Sequence, residues 1–377
     1  MSSSVVVVTH KPERYLDRCL ASVAEQADEL VVVDNGSEGD TAAKAAERYG
    51  ARYLRMSSNL GFPAGVNAGV AASTRDHVAL LNDDAFAEPG WLAGSAAVLR
   101  DQSIAAVAPK LLFAWPRGMV RVDDPVRFRG SNPTPRGRHV TAVEVGGVDV
   151  TRKVILHGGK REDGTGFWTS GASLLELPLI GDSREVAVNG QPVEIETTID
   201  LVNNAGSFLH AGAFCGDIGF GDRDNGSFES AADRFASCGA AMVFRRETWE
   251  RLGGFAGEFF AYYEDVDWGW RAQLAGMRVR YEPSLVVRHV HGHTAGPESS
   301  MFGFYVSRNR ILCVIRNAPS RVAVGLVTNL PPLPPWGRRS LAKRLPKALA
   351  QRRRTVREAV RSPEQVWSEW AGVNVPQ

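Results

Sequence analysis

Three short runs free of polar residues, Val5–Val8, Leu30–Val33 and Val78–Leu81, recur through the first hundred residues with helix-like stretches between them. Four apolar residues are too few for a helix and leave no face for water. Each run is therefore a strand covered on both sides. Between the runs, Tyr15 to Gln26 carries Tyr15, Leu16, Cys19, Leu20 and Val23 at helical spacing. Thr41 to Tyr49 is a second helix ending at Gly50, Tyr53-Leu54 a short strand, and Pro63 to Ala72 a third helix. Doubly buried strands alternating with helices predict an α/β fold, a parallel sheet with helices on each face. Such sheets bind ligands beyond the C-terminal ends of their strands. Each run turns polar at that end: Thr9-His10, Asp34-Asn35 and Asn82-Asp83-Asp84.

Beyond residue 113 the texture changes. Residues 114–236 are rich in Gly, Thr and Val, with strand-like pieces at 140–150 and 193–202, and predict a β-rich insertion in the α/β core. Asn189-Gly190 between Val186–Val188 and Pro192–Ile195 signals a tight hairpin. The core resumes over 237–330, with a strand at 237–246, a short helix Glu247–Leu252, a helix from Glu264 to Gly276, and a strand pair over 279–294. A proline-rich break at 331–335 precedes a basic tail running to 377.

A chain of 377 residues with 44% hydrophobic and 23% charged residues is that of an ordinary globular protein, of two domains or one large domain with additions. No apolar stretch approaches the ~20 residues of a membrane span, and no signal peptide is legible. The four cysteines lack CxxC spacing, which suits a reducing cytoplasm. The net charge of +2 conceals a segment, 337–361, with ten Lys/Arg and one acid, leaving the remaining chain at −7. An acidic body argues against a nucleic-acid-binding core. The tail calls for an anionic surface, and leucines at 341, 345 and 349 with Val356 suggest a helix lying on a membrane.

Asn82-Asp83-Asp84 can hold Mg²⁺ or Mn²⁺ against a diphosphate, since hard cations prefer oxygen ligands; it can equally form a turn. Asp34 has the same two readings, as a turn residue or an acceptor for a ribose or base. Glu264-Asp265-Val266-Asp267 opens a helix, where acids cap free N–H groups and where a carboxylate stays ionised as a general base must. Tyr262, Tyr263, Trp268 and Trp270 flank these acids and suit either a sugar ring or a core. His289, His291 and His293 alternate, which allows a zinc site, or one histidine joining the acidic site as a ligand. No GxGxxG, P-loop or GxSxG motif is present.

Taken together, VVVVTHKPERYLDRCLASV, LVVVDNGS, NLGFPAGVNAGV, LLNDDAF, WLAG, CGAAMVFRR, GGFAGEFFAYYEDVDWGWR and VRHVH resemble, in order, inverting family 2 glycosyltransferases of the GT-A fold, rhamnosyltransferase-like branch. LVNNAG (201–206) and DIGFGDRDNGSF (217–228) resemble segments of longer members. The resemblance implies a nucleotide-sugar-binding half (1–113) and an acceptor half (237–330). It implies that Thr9 and Asp34 hold base and ribose, and that Asn59, Gly61 and Asn67 line the donor pocket. It places Asp83 near the ribose or sugar and makes Asp84 and His289 the ligands of Mg²⁺ or Mn²⁺, with His291 as fallback.

By the same resemblance Asp265 is the catalytic base, and Glu264, Trp268, Cys238 and Gly239 face the acceptor. Arg308 and Asn309 lie near phosphates or acceptor. Asn82 stands where the motif often has Asp, and His10 where relatives often carry an aromatic residue. The implied donor is a nucleoside diphosphate sugar, dTDP-rhamnose or a UDP-sugar. The implied acceptor is a glycan or polyprenyl-diphosphate-linked glycan of envelope polysaccharide synthesis, used at the inner face of the cell membrane. The competing classes are a sugar nucleotidyltransferase, which lacks its triphosphate-gripping loop here, and a non-catalytic glycan-binding scaffold.

Overall fold

A computed structural model describes residues 2–12, 15–123, 137–161, 166–291 and 300–373. The chain forms two compact units, one of 1–112, 202–220 and 225–377, the other of 113–201 and 221–224. The stretches 202–220 and 225–236, which the sequence groups with the insertion, cluster with the first unit.

The first unit is built on a mixed sheet. Strands β1 (Ser3–Thr9), β2 (Glu29–Asp34), β3 (Arg52–Arg55) and β4 (His77–Asn82) run parallel in the order β4-β1-β2-β3. The valines of β1 and β2 are buried throughout, as their lack of any polar alternation requires. Helices α1 (Leu16–Ala24), α2 (Thr41–Arg48) and α3 (Phe62–Ala72) connect them. Gly69 lets α3 lie tight on the sheet, because a Cβ there would sit 2.3 Å from a Val6 methyl.

Beyond β4 come β5 (Ala85–Ala87), α4 (Trp91–Val98) and β6 (Ile104–Phe113). After the second unit, β7 (Val202–Asn204) pairs with β6, and β8 (Ser207–Leu209) with β9 (Cys215–Asp217). Strand β10 (Ala232–Arg234) lies at the sheet edge, and β11 (Ala241–Arg245) runs antiparallel between β4 and β6. Helices α5 (Arg246–Leu252) and α6 (Glu264–Leu274) lead to β12 (Arg278–His289). The pair expected over 279–294 is this single strand, which pairs with β5 and β10. His293 lies outside the described residues.

Four helices complete the unit: α7 (Ser300–Asn317), α8 (Ser320–Thr328), α9 (Pro335–Glu358) and α10 (Pro363–Trp370). The basic tail is not a separate arm. Leu341, Ala348, Val366, Trp367 and Trp370 are buried with Ile311, Ile315 and Trp270 in one core, and Leu345 packs against it. Only Leu349 and Val356 of the expected membrane-facing residues are exposed. Burying the other side against α7 removes more apolar surface from water than leaving it open, so α9 is a structural helix. Among the described residues no helix is long and apolar enough to cross a membrane.

Among its described residues the regular structure of the second unit is β-strand, apart from one short 3₁₀ turn, Thr151–Lys153. Strands 117–123, 155–161, 167–178 and 197–199 form one sheet, joined by 139–140, and 143–145, 148–149, 186–188 and 191–193 another. Asn189 and Gly190, both at positive φ, close the expected hairpin. Phe167, Leu175, Leu177 and a set of valines fill its core.

Candidate active site

The parallel strands end side by side, and their polar termini bond to one another. Thr9 donates its hydroxyl to Asp83 Oδ2 at 2.5 Å. Burial pushes Asp83 up to about 7; the Thr9 bond opposes this and the Asp84 charge adds to it. Asp34 accepts from Ser37 N (2.8 Å) and from the Tyr53 hydroxyl (2.7 Å). Burial would raise its pKa, but these bonds and Arg55 outweigh it and hold the carboxyl below its usual range. Thr9 and Asp34 thus spend these bonds on the loops that frame the site.

Asn35 performs the same work next door. Its amide donates to Asn59 Oδ1 and Gly61 O and accepts from Leu60 N, all at 3.1 Å. Gly61 has φ +89°, and a Cβ on it would lie 2.4 Å from Phe260 O, so only glycine fits between these loops. Asn59 is exposed beside it. Asn67 is turned the other way: its amide both donates to Phe255 O (2.9 Å) and accepts from Phe255 N (3.0 Å). It clamps the loop at Phe255 onto α3.

Pairing of Ala85 with His289 brings the second half of the sheet to the acidic turn. His289 Nε2 lies 3.2 Å from Asp84 Oδ1, and its Nδ1 lies 3.0 Å from Asn203 Oδ1. An amide oxygen accepts, so Nδ1 donates to Asn203 and Nε2 is the ring nitrogen turned toward Asp84. Asn203 owes its aim to an irregularity in the β6–β7 register between Val202 and Asn204. An imidazole nitrogen beside a carboxylate, with the buried Asn82 Oδ1 unpartnered nearby, is a donor set that fits a hard divalent cation. Among the described residues no three His, Cys, Asp or Glu groups form a closed cage. His291 stacks edge-on against His289, its pKa lowered by burial and by that neighbour.

Helix α6 supplies the other acids and sorts them into three roles. Asp265 accepts from Gly239 N (2.8 Å) and Val266 N (2.7 Å). Burial raises its pKa in spite of these donors. Glu264 is buried, with Oε2 unpartnered and its pKa raised well above the usual range, first by burial and then by Asp265. Asp267 is fully buried and held low by Arg316 and Arg271, which outweigh its desolvation. It also accepts from Asn317 (2.8 Å) and so ties α6 to α7.

The loop before α6 is strained. Phe260, Tyr262 and Tyr263 all have φ near +70°, a region costly for side chains of this size. Asn309 on α7 holds it: Nδ2 lies 3.0, 2.7 and 2.8 Å from the carbonyls of Phe259, Ala261 and Tyr262. Arg308 donates to Phe259 O (2.7 Å) and to Asn309 Oδ1. Both residues are buried, so they position the loop instead of meeting phosphates or acceptor. Trp268 is likewise corrected: it is 1% exposed and packs with Phe244 and Trp249 in the core. Cys238 is half-buried beside Asp265 and Asp217, with burial first and then these charges raising its thiol.

The sequence reading assigns no role to Asn203, Asn204 or Asp217, although it quotes their segments. Asp217 accepts from Asn204 Nδ2 at 2.7 Å. It reaches solvent, yet surrounding protein and then Asp265 push its carboxyl up to about 6.

Two family models match the chain: glycosyl transferase family 2 over residues 4–114, and glycosyl transferase family group 2 over residues 190–354. An N-acetylglucosaminyl-diphospho-decaprenol L-rhamnosyltransferase of Mycobacterium tuberculosis is 24% identical over 307 residues, covering 78% of this chain and 77% of that protein. A TPR repeat-containing protein of Synechococcus elongatus is 40% identical over 81 residues, so the match spans 22% of this chain and only 20% of that relative. Among solved structures, GalNAc-T7 with UDP, GalNAc and Mn²⁺ superposes with a TM-score of 0.57 at 13% identity, over 98% of this chain and 56% of that one. That likeness is one of fold.

Proposed function

The chain belongs to glycosyl transferase family 2, and from that premise we propose that it moves a sugar from a nucleoside diphosphate donor to an acceptor hydroxyl with inversion. The observation that carries the reading is the meeting of Asp84 and His289 beside Asp83, at the ligand-binding edge of a parallel sheet, with Asp265 on the facing helix.

In this reading the loop of Asn59 and Gly61, braced by Asn35, frames the nucleoside end of the donor, beside Asp34. Asp84 and His289 would hold Mg²⁺ or Mn²⁺, whose charge would offset that of a departing diphosphate. Asp265 takes the proton of the acceptor hydroxyl. Its raised pKa makes it a better proton acceptor than an exposed aspartate, while two backbone N–H groups keep it aimed. The acceptor oxygen bonds to the anomeric carbon as the bond to the diphosphate breaks, and the nucleoside diphosphate leaves. One displacement needs no enzyme nucleophile.

Rhamnose from dTDP-rhamnose and a polyprenyl-diphosphate-linked glycan are the favoured donor and acceptor. The rhamnosyl group and the polyprenyl-diphosphate-linked acceptor are supported by the name of the mycobacterial relative, whose match covers most of both chains, and the dTDP nucleotide by the family resemblance alone. Envelope polysaccharide synthesis at the cytoplasmic leaflet follows from that choice. The test is a panel of dTDP- and UDP-sugars incubated with the protein and Mn²⁺ or Mg²⁺, read by nucleotide release and by the anomeric configuration of the product. Release from dTDP-rhamnose, abolished by chelator, is expected. Release from UDP-sugars alone replaces the donor assignment, and full turnover in excess chelator removes the metal.

A further inference from the structure

Helix α8 is apolar on two sides. Its inner side, Ala323 with Val322 and Leu326, joins the core with α7, but Val324 is 61% and Val327 45% exposed. Leu330, 41% exposed, and Trp336, 51% exposed, continue the apolar surface into the start of α9. Helix α9 then returns antiparallel to α8: Arg352 donates to Ala318 O (2.7 Å) and to the Ser320 hydroxyl (3.0 Å). Both helices seat on α7, so the residues pointing away from it share an outer surface.

That surface is strongly cationic, with its acidic partners confined to Glu258, beside Lys347, and Glu358, at the far end of α9, among the described residues. From Ser320 to Arg357 the chain holds ten Lys/Arg and no acidic residue. Arg338, Arg339, Lys343 and Arg353 are exposed, and no side-chain partner is found for them among the described residues. Scattered surface hydrophobes need no explanation, but a run of exposed valines, a leucine and a tryptophan rimmed by unpaired cations does. A nucleic acid would use the cations and leave the valines in water. An anionic bilayer uses both: headgroups meet the cations, the valines enter the boundary region, and tryptophan sits at the interface.

We propose that the outer face of α8 and the start of α9 is a docking surface for an anionic lipid leaflet. The apolar contribution comes from Val324, Val327, Leu330 and Trp336, not from the α9 leucines that the body buries. The surface also borders the strained loop, because Arg344 donates to Glu258 O and Lys347 pairs with the Glu258 carboxylate, both at 3.0 Å. Docking on this face would bring the loop that leads into α6 close to a lipid surface. The inference goes beyond the transferase reading and does not depend on it.

Flotation of the full chain with vesicles of phosphatidylcholine, with and without 30% phosphatidylglycerol, tests it. Binding to the anionic vesicles at low salt, lost at high salt where screening is strong, is the expected result. Arg338→Ser/Arg339→Ser/Lys343→Ser should weaken that binding on the order of 100-fold. Val324→Ser/Val327→Ser should weaken it measurably with an unchanged thermal midpoint, since both side chains are exposed. Brominated lipid should quench emission that Trp336→Phe removes. Absence of binding at low salt, or equal binding to neutral vesicles, overturns the proposal. So does self-association that Val324→Ser/Val327→Ser abolishes while vesicle binding persists, which would make the face an interface between copies. Sugar-transfer assays do not enter any of these outcomes.

Discussion

Asp265 and Asn203 show how single residues divide the chemistry. Asp265 is aimed by backbone donors at both oxygens, so replacing it by Asn keeps the shape and removes the base. Asp265→Asn should lower turnover by at least ~10²-fold, with nucleoside diphosphate binding in Mn²⁺ nearly unchanged in calorimetry. Near-normal turnover would make Asp265 a helix cap only. Asn203 touches no reacting atom and acts through His289, whose tautomer it sets. Losing such a partner typically costs a metal site 10–100-fold in affinity. Asn203→Leu should therefore weaken Mn²⁺ binding by about that much, read by electron paramagnetic resonance without substrate. Asn203→Asp, which also accepts from Nδ1, should restore it.

At the scale of elements, α7 is the strap on which α6 and its approach depend. Its Asn309 and Arg308 hold a loop with three side chains at positive φ, each costing roughly 1–3 kcal/mol if left unsupported. Asn309→Ala should release the loop, and kcat should fall more than KM rises, because Asp265 is displaced while the donor strands are untouched. Asn309→Asp, which lacks the donor, should not rescue it. The Asp267 cluster is the second tie. Its carboxylate is more acidic folded than unfolded, so its contribution is fully present above the ordinary carboxylate pKa of about 4. That contribution is lost as pH falls through the lower folded value. Asp267→Asn should cost about 3–5 kcal/mol at neutral pH, the range for breaking a buried ion pair, and flatten the acid limb of a denaturation profile.

For the whole molecule, α9 and α10 belong to the core. Their removal strips cover from Ile311, Ile315, Phe235 and Trp270. A chain ending before Pro335 should lose its cooperative melting transition or fail to remain soluble, as calorimetry of the truncated protein would show. A truncated chain with an unchanged midpoint would return the tail to the status of an appendage.

The sheet and its polar edge were legible from the chain itself, because Val5–Val8, Leu30–Val33 and Val78–Leu81 have no face to give to water and so must be buried strands. Asn189-Gly190 announced its hairpin for a similarly local reason: both residues tolerate the positive φ that the turn needs. The identities of Asp84, His289 and Asp265 came from ordered motifs, and the pairing of Ala85 with His289 brings Asp84 and His289 together. What a side chain does once buried was not legible. Asn67, Arg308, Asn309 and Trp268 carry motif identities, yet their partners are backbone carbonyls or rings brought near only by folding. Asn203 escaped notice because its aim depends on a register irregularity, which leaves no mark in residue type. The basic tail misled for the converse reason. Helical spacing identifies an apolar stripe, but only the packed structure decides whether that stripe meets a bilayer or the protein's own α7.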